Sequence, residues 1–540
     1  MTNLFKVIQR KVIVFMKNSL NLTIIALGCL LALLMAAIGP HQPGSTPPST
    51  ITSAATGIYW VEEASKDENR FVNQVDGYSI TIPKQMNAVD MSIPAIRSVL
   101  EDEHRRVEIY KEATGPQLSA ATYMEYSNRC LNNQVDHQQM RIESLTLNGL
   151  SAKVTQWKRE KLQRIENDRN YYTCIDIVGA DAVYTFFIKS DLPLEQCGGY
   201  LDIIKDFRTF PPSRQPETAR FKHTGTRAWN DETRQAFDRF FSPASEMTWG
   251  IFEPTAPQQM GRLQTLEQQM DYEFPIILMY SHIKEYPPGY VGQALEKAYA
   301  AGKLVELTLQ SKDAAPGEPN RVYAILNGEQ DQFLRTYAQE VADFGHPVLF
   351  RPFNEMNGDW CAYSGYHTSR DPEIFKELYQ YIYRIFAEVG ADNVIWIWNP
   401  NERAFPDFKW NNEVMYYPGN RYVDVVGLTG YNTGTYYPGE TWRSFAAIYD
   451  PLWTKAAAWY DKPMMITEFA SSSVGGSKAQ WVADMFADRA DYPGIKVAIW
   501  WNGCDFDRQG NIARPYFIDE NAELVAIFKA NLSKQPAAKD

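Results

Sequence analysis

Eight short apolar runs recur through the carboxyl-terminal part of the chain, and they restrict its fold more than any other feature. They occupy 249–253, 275–280, 304–309, 347–350, 394–398, 423–428, 464–467 and 496–500. Each is four to six residues long, the length of a strand rather than a helix. Between them, 291–302, 327–344, 371–389 and 441–460 space their apolar residues as amphipathic helices do. Ser369, followed by Asp371 and Pro372, supplies a helix-start signal. Eight alternations of strand and helix are what a closed parallel barrel requires. The expected fold class is therefore α/β, with a (β/α)8 TIM barrel over 220–540.

Chemistry in such barrels sits at the carboxyl ends of the strands. The fourth run leads into RPFNEMNGDW (351–360) and the seventh into ITEFA (466–470), so each delivers a glutamate there, Glu355 and Glu468. Period-two alternation predicts that Phe353 shares a face with Glu355, and Ile466 with Glu468. Two carboxylates over one barrel mouth are the minimum apparatus for glycoside hydrolysis. One gives a proton to the leaving oxygen, while the other attacks the anomeric carbon or activates water there. Trp360, Trp500 and Trp501 are candidate platforms for a sugar ring, and Tyr431 is placed to orient a carboxylate. Trp396 and Trp398, inside the fifth run, read as core. Arg351 shares strand parity with Glu355 and either neutralises the cleft from below or forms a structural ion pair.

RPFNEMNGDW, ITEFA and the Trp-rich last strand together resemble glycoside hydrolase family 26, over about 245–530. The resemblance implies a retaining mechanism with Glu355 as general acid/base and Glu468 as nucleophile. It makes Tyr431 the hydrogen-bonding partner of the nucleophile and one Trp of strand eight the floor beneath the reacting sugar. It implies β-mannan as substrate, with mixed-linkage β-glucan or β-xylan as alternatives. Family mannanases usually carry His just before the acid/base, where this chain has Asn354. Asn-Glu is the commoner pattern in the wider clan, the amide reaching the sugar 2-hydroxyl.

A net charge of −12 repels phosphates, so nucleic acid is not an expected partner. The six cysteines contain no CxxC pair, and neither a metal nor a cofactor is expected. A disulfide between Cys361 and Cys504 across the barrel mouth is one option and two loop thiols the other. Residues 22–39 form an uncharged apolar run behind Lys6, Arg10, Lys11 and Lys17. Residues 1–39 are expected to be a transmembrane anchor or a signal peptide, which places the catalytic body outside the cell membrane or secretes it. A Pro/Ser/Thr linker follows over 40–54. Residues 55–212 read as a small α+β domain of unknown role, alternating at 78–83 and 183–188 and helical near 93–101 and 198–207. The expected partner is a polysaccharide, met by a monomer. Two rival readings stand beside the hydrolase. The serines of 471–477 suggest a phosphosugar enzyme, and a relict site suggests a non-catalytic polysaccharide-binding wall protein.

Overall fold

The computed structural model describes residues 57–216, 220–222, 227–283, 287–311 and 317–532. Eight parallel strands close a barrel: β1 (Thr248–Phe252), β2 (Ile276–His282), β3 (Leu304–Gln310), β4 (Val348–Pro352), β5 (Val394–Trp398), β6 (Val425–Thr429), β7 (Met464–Phe469) and β8 (Ile495–Trp501). Closure comes from β8 pairing with β1, Thr248 opposite Val497 and Phe252 opposite Trp501. Alternation divides each strand between two environments. Ile276, Leu278, Leu349, Ile395, Ile397, Val425, Met465, Val497 and Ile499 fill the barrel interior. Their neighbours, such as Ile277, Val348, Trp396, Trp398 and Ala498, face the surrounding helices. The helix Asp231–Phe241 plugs the amino-terminal end. Its Phe240 and Phe241 join the interior cluster, and the Trp229 indole N–H just before it donates to the Val394 carbonyl (2.8 Å). The opposite end stays open.

The helices follow their sequence signals. Pro372 sits in the first turn of Pro372–Glu388, and the Asp371 carboxylate caps it by accepting from Glu373 N–H. The segment 327–344 holds one helix, Asp331–Phe344, which starts four residues later than its apolar spacing suggested. Gly328, with φ of 84°, separates Arg321–Leu326 from Asp331–Phe344, because a left-handed residue cannot continue a right-handed helix.

The amino-terminal residues form two antiparallel sheets. One has four strands in the order Tyr59–Glu63, Glu68–Asn73, Tyr78–Pro83, Arg208–Thr209. The other has seven, in the order Asn87–Ala88, Ser98–Glu101, Arg105–Ala113, Ala182–Ser190, Tyr171–Val178, Leu150–Lys158, Gln138–Leu147. Helix was expected near 93–101, yet Ser98–Glu101 is a strand paired with Arg105–Ala113. Ser98, Val99 and Leu100 are all buried, and burial on both faces erases the alternation that marks a strand. Near 198–207 only the short helix Leu201–Ile204 forms. The larger sheet is a middle layer. Val107, Ile109, Phe186 and Ile188 face the small sheet, whereas Tyr110, Trp157, Tyr172 and Phe187 belong to the core that continues into the barrel.

The expectation of a membrane anchor is corrected. A span needs about 20 apolar residues in a helix. Among the described residues no helix is long and apolar enough to cross a membrane, and Pro372–Glu388, with 17 residues, buries one face against the barrel. Among the described residues nothing therefore supports the membrane as a partner or a cell-membrane localisation. Residues 1–39 and the linker 40–54 lie outside the described residues.

Candidate active site

Neither glutamate reaches the barrel mouth by simple alternation. β4 ends at Pro352, and both Phe353 (φ 55°) and Glu355 (φ 56°) adopt left-handed backbone. Each costs about 1–2 kcal/mol in an L-residue. Hydrogen bonds hold the turn: Phe353 N–H to the Leu309 carbonyl (2.8 Å), Glu355 N–H to that of Asn399 (2.7 Å). The Phe353 ring is buried against Tyr363, so the shared face expected for Phe353 and Glu355 does not exist. On β7 the register slips. Leu428 pairs with Ile466, but the next residue, Thr429, pairs with Glu468. The extra residue, Thr467, is a β-bulge, and a bulge re-aims the side chain that follows it. Ile466 consequently packs in the helix-facing core while Glu468 enters the cleft.

Around Glu468 four donors converge. Arg351 Nη1 (3.0 Å) and Asn354 Nδ2 (3.2 Å) reach Oε1, and the hydroxyls of Tyr280 and Tyr431 (3.3 Å) reach Oε2. Burial, and after it the Glu468 charge, pushes both phenols well above their ordinary pKa, so each keeps the proton it donates. Asn354 is oriented in turn, its Oδ1 accepting from Gln310 Nε2 (2.7 Å). Arg351 is wholly buried and shared: its Nε also lies 2.7 Å from Glu306 Oε1. Burial pushes the Glu306 carboxyl up to about 8, Arg351 opposing and Glu468 adding. Arg351 therefore serves Glu468 rather than Glu355, with which it was expected to share a face.

Glu355 has different company. Its Oε2 accepts from the Trp360 indole N–H (3.3 Å). Burial first, and the Glu468 charge second, raise its pKa to about 8, against weaker opposing pulls from Arg351 and Trp360. Trp360 is 46% exposed, and Gly358 leaves room for it, since a Cβ there would fall 2.6 Å from the indole ring. Trp501 forms a wall, stacked on Phe252 (5.2 Å) and edge-on to Tyr431 (6.4 Å). Trp500 does not belong to the site. It is 1% exposed, donates to the Tyr516 carbonyl and packs among Phe469, Trp481 and Phe528.

These side chains line an open cleft of about 980 Å³, rimmed by Phe405, Tyr437, the Glu402–Arg443 pair and the Asp505–Arg514 pair. Cys361 and Cys504 are both thiols, Cys361 buried with Sγ 3.7 Å from the Asn354 carbonyl. The serine loop 471–477 serves its own neighbourhood. Ser477 caps the helix Lys478–Asp488, Ser472 accepts from Val474 N–H, and Lys478 is engaged by Glu520. No group of three or more His, Cys, Asp or Glu among the described residues is placed to hold a metal. Tyr280, Gln310 and Glu306 were not anticipated. The first two are polar residues at strand ends, where inspection of all eight ends would have found them. Glu306 stands out as a lone charge inside the run 304–309.

The sequence model of glycosyl hydrolase family 26 matches residues 267–475, a span holding both glutamates. Endoglucanase H of Acetivibrio thermocellus is 32% identical over 211 residues, covering 38% of this chain and 22% of that protein. A mannan endo-1,4-beta-mannosidase of Bacillus subtilis is 38% identical over 195 residues, 35% of this chain and 47% of that protein. The chain thus spans less than half the length of these curated relatives. Among solved structures, an endo-beta-1,4-mannanase double mutant of Cellulomonas fimi aligns at 19% identity with a TM-score of 0.43, over 57% of this chain and 75% of that one.

Proposed function

We propose that this protein, whose residues 267–475 match the sequence model of glycosyl hydrolase family 26, is a retaining glycoside hydrolase of β-linked polysaccharide, with β-mannan as substrate. The observation that carries this is the asymmetry of the two carboxyl groups. Glu468 accepts from four donors, which suits an anionic nucleophile; Glu355, with a raised pKa and one indole partner, suits a proton donor. In the first step a Glu468 oxygen bonds to the anomeric carbon as the glycosidic C–O bond breaks. The leaving oxygen takes the Glu355 proton. Loss of the Glu468 charge in the resulting ester then lowers the Glu355 pKa. In the second step Glu355 takes a proton from water, whose oxygen attacks the anomeric carbon and frees Glu468. Trp501 is the floor under the reacting sugar, and Tyr280 joins Tyr431 in orienting the nucleophile.

Glu468→Ala should abolish turnover, and added azide should restore it with product of the opposite anomeric configuration. Inverted product from the wild-type protein would overturn the two-step route. A second reading, mixed-linkage β-glucan or β-xylan, is favoured by Asn354 in the position before the acid/base and by the name of the Acetivibrio relative. Product analysis of the full chain on mannan, mixed-linkage glucan and xylans separates the two.

A further inference from the structure

Trp360 is a wall of two hollows. One is the cleft over the glutamates; the other, of about 970 Å³, shares the indole as part of its lining. Each reaches the upper end of the ~300–1,000 Å³ range of small-ligand sites. The second hollow is built jointly. Arg129, Asn132 and Gln134 come from the amino-terminal residues, and Asp359, Trp360 and Tyr366 from the loop that follows β4.

The hollow is held open by bonds across that junction. The Arg129 guanidinium lies 3.7 Å over the Tyr126 ring and donates to the Tyr366 hydroxyl (3.4 Å). Asn133 ties its own loop, its Nδ2 donating to Asp136 Oδ2 (2.5 Å), and the same oxygen accepts from Asn320 N–H (2.8 Å). Asn320 continues to the Ala362 carbonyl (2.8 Å), and His137 Nε2 lies 3.0 Å from Ser369 Oγ. Asn132 and Gln134 are exposed and offer free-standing amide edges. The lining therefore combines an indole surface, amides that both donate and accept, the carboxyl groups of Glu318 and Asp359, and the Arg129 guanidinium, which Glu125 engages from outside the hollow (3.4 Å). That combination suits a neutral polyhydroxylated chain, whose C–H faces rest on aromatic rings while its hydroxyls meet planar polar groups.

Resting on the proposed hydrolase reading, we infer that this second hollow is a distal subsite, where the amino-terminal sheets and the barrel together hold the part of the polysaccharide that leaves the cleft past Trp360. The amino-terminal residues thereby select long chains over short ones. The experiment compares kcat/KM on mannan with kcat/KM on mannobiosyl or mannotriosyl aryl glycosides, for the full chain and two variants. Arg129→Ala empties the hollow, and Asn132→Trp, at an exposed position, fills it. Thermal unfolding checks that each variant folds. The ratio of polymer to short-substrate kcat/KM should fall about tenfold in both, the size expected for one hydrogen bond to a charged group. A ratio unmoved in both folded variants overturns the subsite while leaving the hydrolase intact. A wild-type protein that releases no sugar from any polymer or aryl glycoside overturns the hydrolase reading and the subsite together.

Discussion

Glu355 and Glu468 are the same residue type in opposite surroundings, and their proposed division of labour follows from that. Burial and the neighbouring charge favour the protonated form of Glu355, so its pKa rises to about 8 and the acid persists through neutral pH. Since the first step needs that proton, kcat/KM should hold below about pH 8 and fall above it. In Glu355→Gln, assayed with an aryl leaving group that needs no proton, the alkaline limb should vanish; a pH–rate profile of each protein reads this. The adjacent tryptophans make a second test. Trp500→Ala should cost about 3–5 kcal/mol in denaturant unfolding, because it empties a packed core site. Trp501→Ala should lower kcat/KM with little change in the unfolding midpoint, because that ring borders the cleft. Strand alternation separates the two from sequence alone: 497, 499 and 501 share one face, 498 and 500 the other.

At the scale of the element, two local irregularities place the two glutamates: the left-handed residues after β4 and the bulge in β7. Gly427 on β6 guards the second of these. A Cβ there would fall 2.7 Å from both Asn399 Cβ and Thr467 Cγ2, and Thr467 is the bulged residue ahead of Glu468. Gly427→Ala should destabilise the fold by about 1–3 kcal/mol and lower kcat as well, since Thr467 must shift. Urea unfolding together with steady-state kinetics measures both. The short apolar runs 464–467 and 347–350 are legible as strands, but the slip is not. It depends on which residue of β6 each β7 residue meets, a fact that no window of β7 contains.

Across the whole molecule, the amino-terminal sheets grip the loop that carries Glu355. Lys189 lies 2.9 Å from Glu108 and 2.8 Å from Asp371, all three nearly inaccessible to solvent. Tyr172 donates to Asp371 (3.1 Å), and Arg370, itself left-handed at φ 59°, donates to the Tyr123 hydroxyl (2.9 Å). Removing one member of a buried ionic cluster leaves its partners uncompensated. Lys189→Ala should therefore destabilise by about 3–5 kcal/mol. Far-ultraviolet circular dichroism and tryptophan fluorescence should report one coincident transition, with sheets and barrel unfolding together. Separate transitions would show that the sheets are an independent body.

The amino-acid sequence by itself determined the eight barrel strands, the helix start at Pro372, the two glutamates at strand ends and the resemblance of the barrel to glycoside hydrolase family 26. These are local matters of periodicity, capping and motif, each contained in a short window. Only the tertiary structure decided that Glu355 arrives through left-handed backbone, that Glu468 arrives through a bulge, and that Tyr280 and Glu306 join the site. It also decided that residues far upstream of the barrel build a second hollow beside the cleft. The reason is physical: these features are set by hydrogen bonds and packing between residues from about 40 to more than 200 positions apart, where no local pattern records the partner.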